Sequence, residues 1–186
     1  MKVSVGISNR HVHLCDEDFK ILFKDTMMNI RNKLKQPGQF ASTLTVDIES
    51  DKGKIEKVRV LGPNRDYTQV EISKTDSYKL GLNPPIRNSG YLDGASLITI
   101  IGPYGKITKE CCIIANRHIH VDKNIIKEKE LNGIKEVKIR ISGEKSGIIE
   151  HVQLKETEEA YFELHLDTDD ANAFLLNQDD IVEIML

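Results

Sequence analysis

The pentapeptide NRHVH at residues 9 to 13 returns as NRHIH at residues 116 to 120, and the two copies hold most of the chain's six histidines. Side chains two positions apart share one face of a β-strand but diverge by about 200° on a helix, so each pair reads as two imidazoles side by side on a strand. Such a pair needs one or two further donors to hold zinc or a similar divalent ion. A single pair would serve equally well as polar strand surface. Repetition of the flanking Asn and Arg together with His11, His13, His118 and His120 favours metal.

Several residues could supply the remaining donors. In TQVEIS the alternation puts Gln69, Glu71 and Ser73 on one face and Val70 and Ile72 on the other, so Glu71 projects among polar neighbours. His165, in YFELHLDTDD, shares a face with Tyr161 and Glu163, while His151, in GIIEHVQL, is the competing histidine. Cys15 would join His11 and His13 only if their strand ran on. The acidic DEDF that follows marks a helix start, and Cys15 is expected near its cap instead of on a metal. Arginine forks suit phosphate oxygens, and Arg65 in LGPNRDYTQVEIS and Arg87 in PPIRNSG both lie in loops beside the polar strand.

The elements that must position these residues are short. VSVGIS and ECCIIA lead into the two histidine pairs as strands, and acidic, amphipathic helical patterns (CDEDFKILF, DKNIIKEKEL) follow them. Residues 26 to 43 contain Pro-Gly and read as a connection with one further helical turn. TLTVDIES and KIEKVRVLGP are strands around the DKGK turn. SGYLDGASLITIIGPYGKITKECCIIA is a loop and three strands, and residues 133 to 166 hold more strands split by SGEKSG. TDDANAFLLN is a capped helix before a last strand, DIVEIML. Many short strands, few short helices and a repeated unit predict a mainly β chain forming two small β-barrels or closed sheets with capping helices.

With 186 residues, 39% apolar and 30% charged, the chain can bury one sizeable core or two small ones. A net charge of -3 with scattered acids and bases gives no electrostatic footprint for nucleic acid or an anionic membrane. No apolar run approaches the roughly 20 residues of a membrane span. The N-terminus enters a strand without a signal-peptide core, and three cysteines, two of them adjacent, give no disulfide framework, so a cytoplasmic location is expected.

The motifs VGISNRHVHL, VRVLGPNRDYTQVEIS, PPIRNSG, GPYG, ANRHIH and ELHLDTDDANA, in this order over nearly the whole chain, resemble the PduL-type phosphotransacylases, also called phosphate propanoyltransferases. The resemblance implies exchange between acyl-CoA and phosphate to give acyl phosphate and CoA, with acetyl or propanoyl groups, a place in propanediol degradation, and two zinc ions per chain. One zinc matches His11, His13 and Glu71, the other His118, His120 and His165, and Arg65 matches the phosphate-binding arginine, with Arg87 a weaker candidate. It also implies two barrels of interleaved sequence, residues 1 to 9 with 117 to 186 and residues 10 to 116, the active site lying at their junction. A homodimer is expected by analogy. Relatives packaged in microcompartments usually carry an N-terminal extension that is not seen here, so a free cytoplasmic enzyme is expected. The alternatives are a cupin-like metalloenzyme, whose glutamate normally follows its histidine pair within a few residues, and a non-catalytic zinc-binding or sensing module with closed four-ligand sites.

Overall fold

A computed structural model describes residues 1 to 157 and 162 to 186; Tyr161 lies outside the described residues. The elements are β1 (Lys2–Ser8), β2 (His11–His13), α1 (Asp16–Phe23), β3 (Ile30–Lys33), β4 (Phe40–Glu49), β5 (Lys54–Gly62), β6 (Gln69–Glu71), α2 (Lys74–Leu80) and β7 (Ile86–Arg87). They continue with β8 (Ser96–Ile101), β9 (Lys106–Ala115), β10 (His118–Asp122), α3 (Lys123–Glu128), β11 (Glu136–Ile141), β12 (Gly147–Thr157), β13 (Glu163–Asp167), α4 (Thr168–Ala173) and β14 (Ile181–Met185). The chain divides into two compact units, Arg10–Ala115 and Met1–Asn9 with Asn116–Leu186. It is mainly β, as the strand-rich pattern predicts. Among the described residues no helix is long and apolar enough to cross a membrane.

Each unit is a closed six-stranded barrel. In the discontinuous unit the ring is β1-β13-β10-β12-β11-β14, with β14 returning to β1. In the continuous unit β4-β5-β2-β6-β9 closes through β8, which pairs both β9 and β4, while β3 and β7 are appended at the side. The two rings match strand for strand. The first histidine pair runs parallel to β5 and antiparallel to β6, and the second runs parallel to β12 and antiparallel to β13. Even the irregularities repeat, because a register shift between Val46 and Ile48 recurs between Val137 and Ile139. Opposite these shifts Lys57 and His151 take the same left-handed backbone, at φ 57° and 56°. β1 therefore occupies in one barrel the position that β9 occupies in the other, and each of these strands leads directly into a histidine pair.

Alternation explains how the pentapeptides serve two purposes. Val12 and Ile119, between the paired histidines, are fully buried, and each belongs to its own unit's core. Burying such a side chain contributes roughly 1.5–3 kcal/mol, so the core fixes the register that turns both imidazoles to the opposite face. Val60, Val70, Ile98 and Cys112 fill the first core, and Val5, Ile139, Val152 and Leu164 the second. Cys111 and Cys112, although adjacent on β9, are both buried, and burial pushes both thiols up, Cys111 to about 12.

The structure departs from the sequence reading at several places, one of them Arg87, expected in a loop, which lies on the short strand β7 beside β9. The connection expected to add a helical turn instead forms β3, four exposed residues of which Ile30, Asn32 and Lys33 pair with β4. Cys111 and Cys112 continue one ten-residue strand, so two strands, not three, flank the GPYGK turn before the second histidine pair. α2 had no expectation attached to it. Its signals are Ser73, whose Oγ accepts from the Asp76 N–H, and Gly81, left-handed at φ 60°, which ends it.

Candidate metal centres

In the continuous unit β2 and β6 pair so that His11 stands opposite Glu71 and His13 opposite Gln69. His11 Nε2 lies 3.4 Å from Glu71 Oε2, and the His11 and His13 rings meet edge to face with centroids 5.0 Å apart. In the other unit β10 and β13 place His118 opposite His165 and His120 opposite Glu163. The three imidazoles converge there, with centroids 4.8 to 5.1 Å apart, and His118 Nε2 is 3.2 Å from His120 Nε2. Glu71 and His165 thus hold the same register position in the two barrels.

In each cluster the three donor atoms lie within 4.8 Å of one another. Bonds of about 2.0–2.1 Å to a tetrahedral ion separate neighbouring ligand atoms by roughly 3.3 Å, so the 3.2 and 3.4 Å contacts have the length of such an edge. Tautomers agree. The Asn116 carbonyl oxygen, 2.8 Å from His118 Nδ1, accepts its N–H and leaves Nε2 with the lone pair. Burial, then the neighbouring His118 and His165, push His120 down to about 2, so its ring stays neutral as a ligand must. Both donor sets fit a divalent ion.

The structure brings His165, and not His151, to the second histidine pair. The His151 side chain is 83% exposed and faces Glu136 at 3.2 Å. Glu163, buried beneath the second cluster, lies 3.2 Å from His165 Nε2. The space it uses depends on Gly6, where a Cβ would come within 2.6 Å of Glu163 Oε2.

Arg65 is joined to the first cluster by a chain of hydrogen bonds. Its Nη1 donates to Ser89 Oγ at 3.1 Å and to Tyr67 Oη at 3.0 Å, and the same Ser89 oxygen accepts from Gln69 Nε2 at 2.9 Å. Gln69 Nε2 also donates to Glu71 Oε1 at 2.5 Å, while its Oε1 accepts from the Gly90 N–H at 2.8 Å. The Arg65 N–H donates to the carbonyl of Leu14, the residue after His13, which ties its loop to the histidine strand. Arg87 is used differently: it donates to the carbonyls of Asp93 and Ile86 and so closes the loop that carries Ser89. Gln69 and Ser89 gave no sequence signal beyond polarity, because their roles depend on a contact across twenty residues.

Cys15 is the N-cap of α1 by position, but its side chain makes no cap bond. Its Sγ lies 3.5 Å from Thr68 Oγ1 instead. Cys15→Ser keeps a small polar side chain there. Its melting temperature is expected to stay within about 2 °C of wild type, with unchanged metal content by elemental analysis. Loss of metal would make Cys15 a ligand.

Under this cap, Asp18 accepts from Lys109 Nζ at 2.6 Å and from Thr68 Oγ1 at 2.5 Å. Burial raises its pKa, but the bonds from Lys109, Thr68 and Cys15 outweigh it and hold the carboxyl below its ordinary value. A lowered folded-state pKa gives stability that is present above about pH 4 and lost as pH falls through the folded value. Asp18→Asn should therefore cost about 1–3 kcal/mol in urea unfolding at pH 7, and a cost that shrinks steadily as pH is lowered below about 4. A cost that did not change with pH down to acid unfolding would contradict the ionised pairing.

The fold and these two clusters define a two-barrel protein with two three-donor groups that could hold a metal ion, one of them joined through Gln69 and Ser89 to Arg65. Residues 4–177 match the family model described as phosphate propanoyltransferase. The chain is 47% identical to a phosphate propanoyltransferase of Thermotoga maritima over 98% of its own length and 89% of the relative's. It is 44% identical to that of Rhodopseudomonas palustris (98% and 82%) and 37% identical to that of Citrobacter freundii (92% and 82%). The chain belongs to the phosphate propanoyltransferase family, and is a phosphotransacylase.

Proposed function

We propose that the protein exchanges the acyl group of acetyl- or propanoyl-CoA with inorganic phosphate, releasing acyl phosphate and free CoA, and that it binds zinc at His11, His13 and Glu71 and at His118, His120 and His165. The observation that carries this reading is the hydrogen-bonded chain from Glu71 through Gln69 and Ser89 to Arg65, which joins a three-donor cluster to a phosphate-matched guanidinium. Bound zinc would supply Lewis acidity and stabilise the departing CoA sulfur as thiolate.

The chain's own residues do the positioning. Arg65 commits Nη1 to Ser89 and Tyr67, and its Nε–H and Nη2 groups would take phosphate oxygens and offset their charge as one attacks the thioester carbonyl. The new C–O bond forms as the C–S bond breaks, and the thiol sulfur takes the electron pair; the reverse direction runs by the same contacts. Gln69 holds Glu71 Oε1 and leaves Oε2 on the side of His11. Cys111 and Cys112, kept protonated by burial, are not nucleophiles in this reaction. We place the enzyme in the cytoplasm, as a homodimer, the commonest soluble assembly.

The test is free-thiol release from acetyl-CoA and propanoyl-CoA with and without phosphate, on metal-loaded protein and again after chelation and zinc restoration. Release that requires both phosphate and metal is expected. Metal-dependent release without phosphate would mean a thioesterase, and no release with metal bound would mean a sensing module.

A further inference from the structure

The arginine of each pentapeptide meets an aspartate at an equivalent place. Arg10 Nη1 donates to Asp76 Oδ1 at 2.7 Å, and Arg117 donates through Nε and Nη2 to the two oxygens of Asp170, at 2.8 and 2.6 Å. Asp76 and Asp170 are each the third residue of the helix that follows the third-ligand strand. Their N–H groups donate to the helix caps, Ser73 Oγ at 3.2 Å and Asp167 Oδ1 at 2.8 Å. Each arginine immediately precedes the first histidine of its pair, and each cap lies two residues past Glu71 or His165.

From this repeated geometry we infer that Arg10–Asp76 and Arg117–Asp170 are positioning pairs, each of which sets the distance between the histidine strand and the third-ligand strand of its own metal cluster. The two strands pair antiparallel, so the residue before the first histidine and the residues after the third ligand lie at one end of the ladder. An ion pair across that end holds His11 opposite Glu71, and His118 opposite His165. Surface ion pairs contribute little to stability, but Asp76 is buried and Arg117 makes a two-point fork, which adds geometric restriction. Neither pair belongs to the three-donor groups themselves. Their effect is on how closely three donors are held to the geometry an ion requires, where partners outside the ligand set typically change affinity about 10–100-fold. The Arg117 pair, with its fork, should matter more than the Arg10 pair.

The inference rests on the metal reading above, and titration of the full-length apoprotein with zinc and with cobalt, against a chromogenic chelator, separates the two. Wild type is expected to bind two ions tightly. Arg117→Met should bind one as wild type does and the other about 10–100-fold more weakly, with a changed cobalt absorption band for that ion only, and Arg10→Met should weaken the other ion. Arg117→Lys should recover part of the loss, since it keeps the charge without the fork. Asp170→Asn, which retains an acceptor, covers the case in which Arg117→Met does not fold. Fewer than two tight ions in wild type would overturn the metal reading. Two unchanged ions in folded Arg117→Met or Asp170→Asn, or equal weakening of both ions by either variant, would overturn the positioning role alone.

Discussion

His118→Ala is expected to lower turnover at least ~100-fold while leaving a folded protein. His118 contributes one of three donors, its ring stacks on His165 at 5.1 Å, and its Nδ1–H is already committed to the Asn116 carbonyl. Alanine removes the donor without disturbing Ile119, the neighbour that carries the core side of the strand. The chelation-sensitive thiol-release assay gives the rate, and far-ultraviolet circular dichroism with a thermal melt gives the fold. Near-normal turnover in a folded variant would sink the assignment of this cluster to catalysis.

Arg65→Ala should raise the Michaelis constant for phosphate by roughly 10–100-fold, the loss of one charged hydrogen-bonding interaction of about 1.5–3 kcal/mol, and that for acyl-CoA much less. The split between the two substrates matters more than the total. A side chain that only supported the Ser89 loop would disturb Gln69 and Glu71 with it, and both constants would rise together. An unchanged phosphate dependence would move the phosphate role to another group, Arg87 first.

The histidine clusters were legible because their code is local. Two imidazoles with one residue between them define a face once the strand is granted, and Val12 and Ile119 reveal which face is core. Repetition of the pentapeptide marked the duplicated architecture, since a flanking Asn and Arg are not preserved by hydrophobic patterning. Glu71 was legible as a polar strand carboxylate, and only the resemblance linked it to His11. What escaped depends on distant pairing. Arg10 finds Asp76 66 residues away and Arg117 finds Asp170 53 residues away, separations that no strand or helix period reports. α2 is seven residues long with no apolar stripe of helical period to announce it, and β3 lies wholly exposed on a barrel side, where neither face carries a hydrophobic signature.

The position of β1 has a consequence for synthesis. The continuous unit, Arg10–Ala115, can close its ring once its own residues have left the ribosome. β1 cannot, because it pairs in parallel with β13 and antiparallel with β14, which follow the whole of the continuous unit in sequence. Val3 and Val5, buried in the finished barrel, must therefore wait without their partners until β13 and β14 have been made. Such a long sequence separation slows folding through the entropy of closing the loop, and it leaves an apolar strand open to wrong partners until Ile181–Met185 arrives.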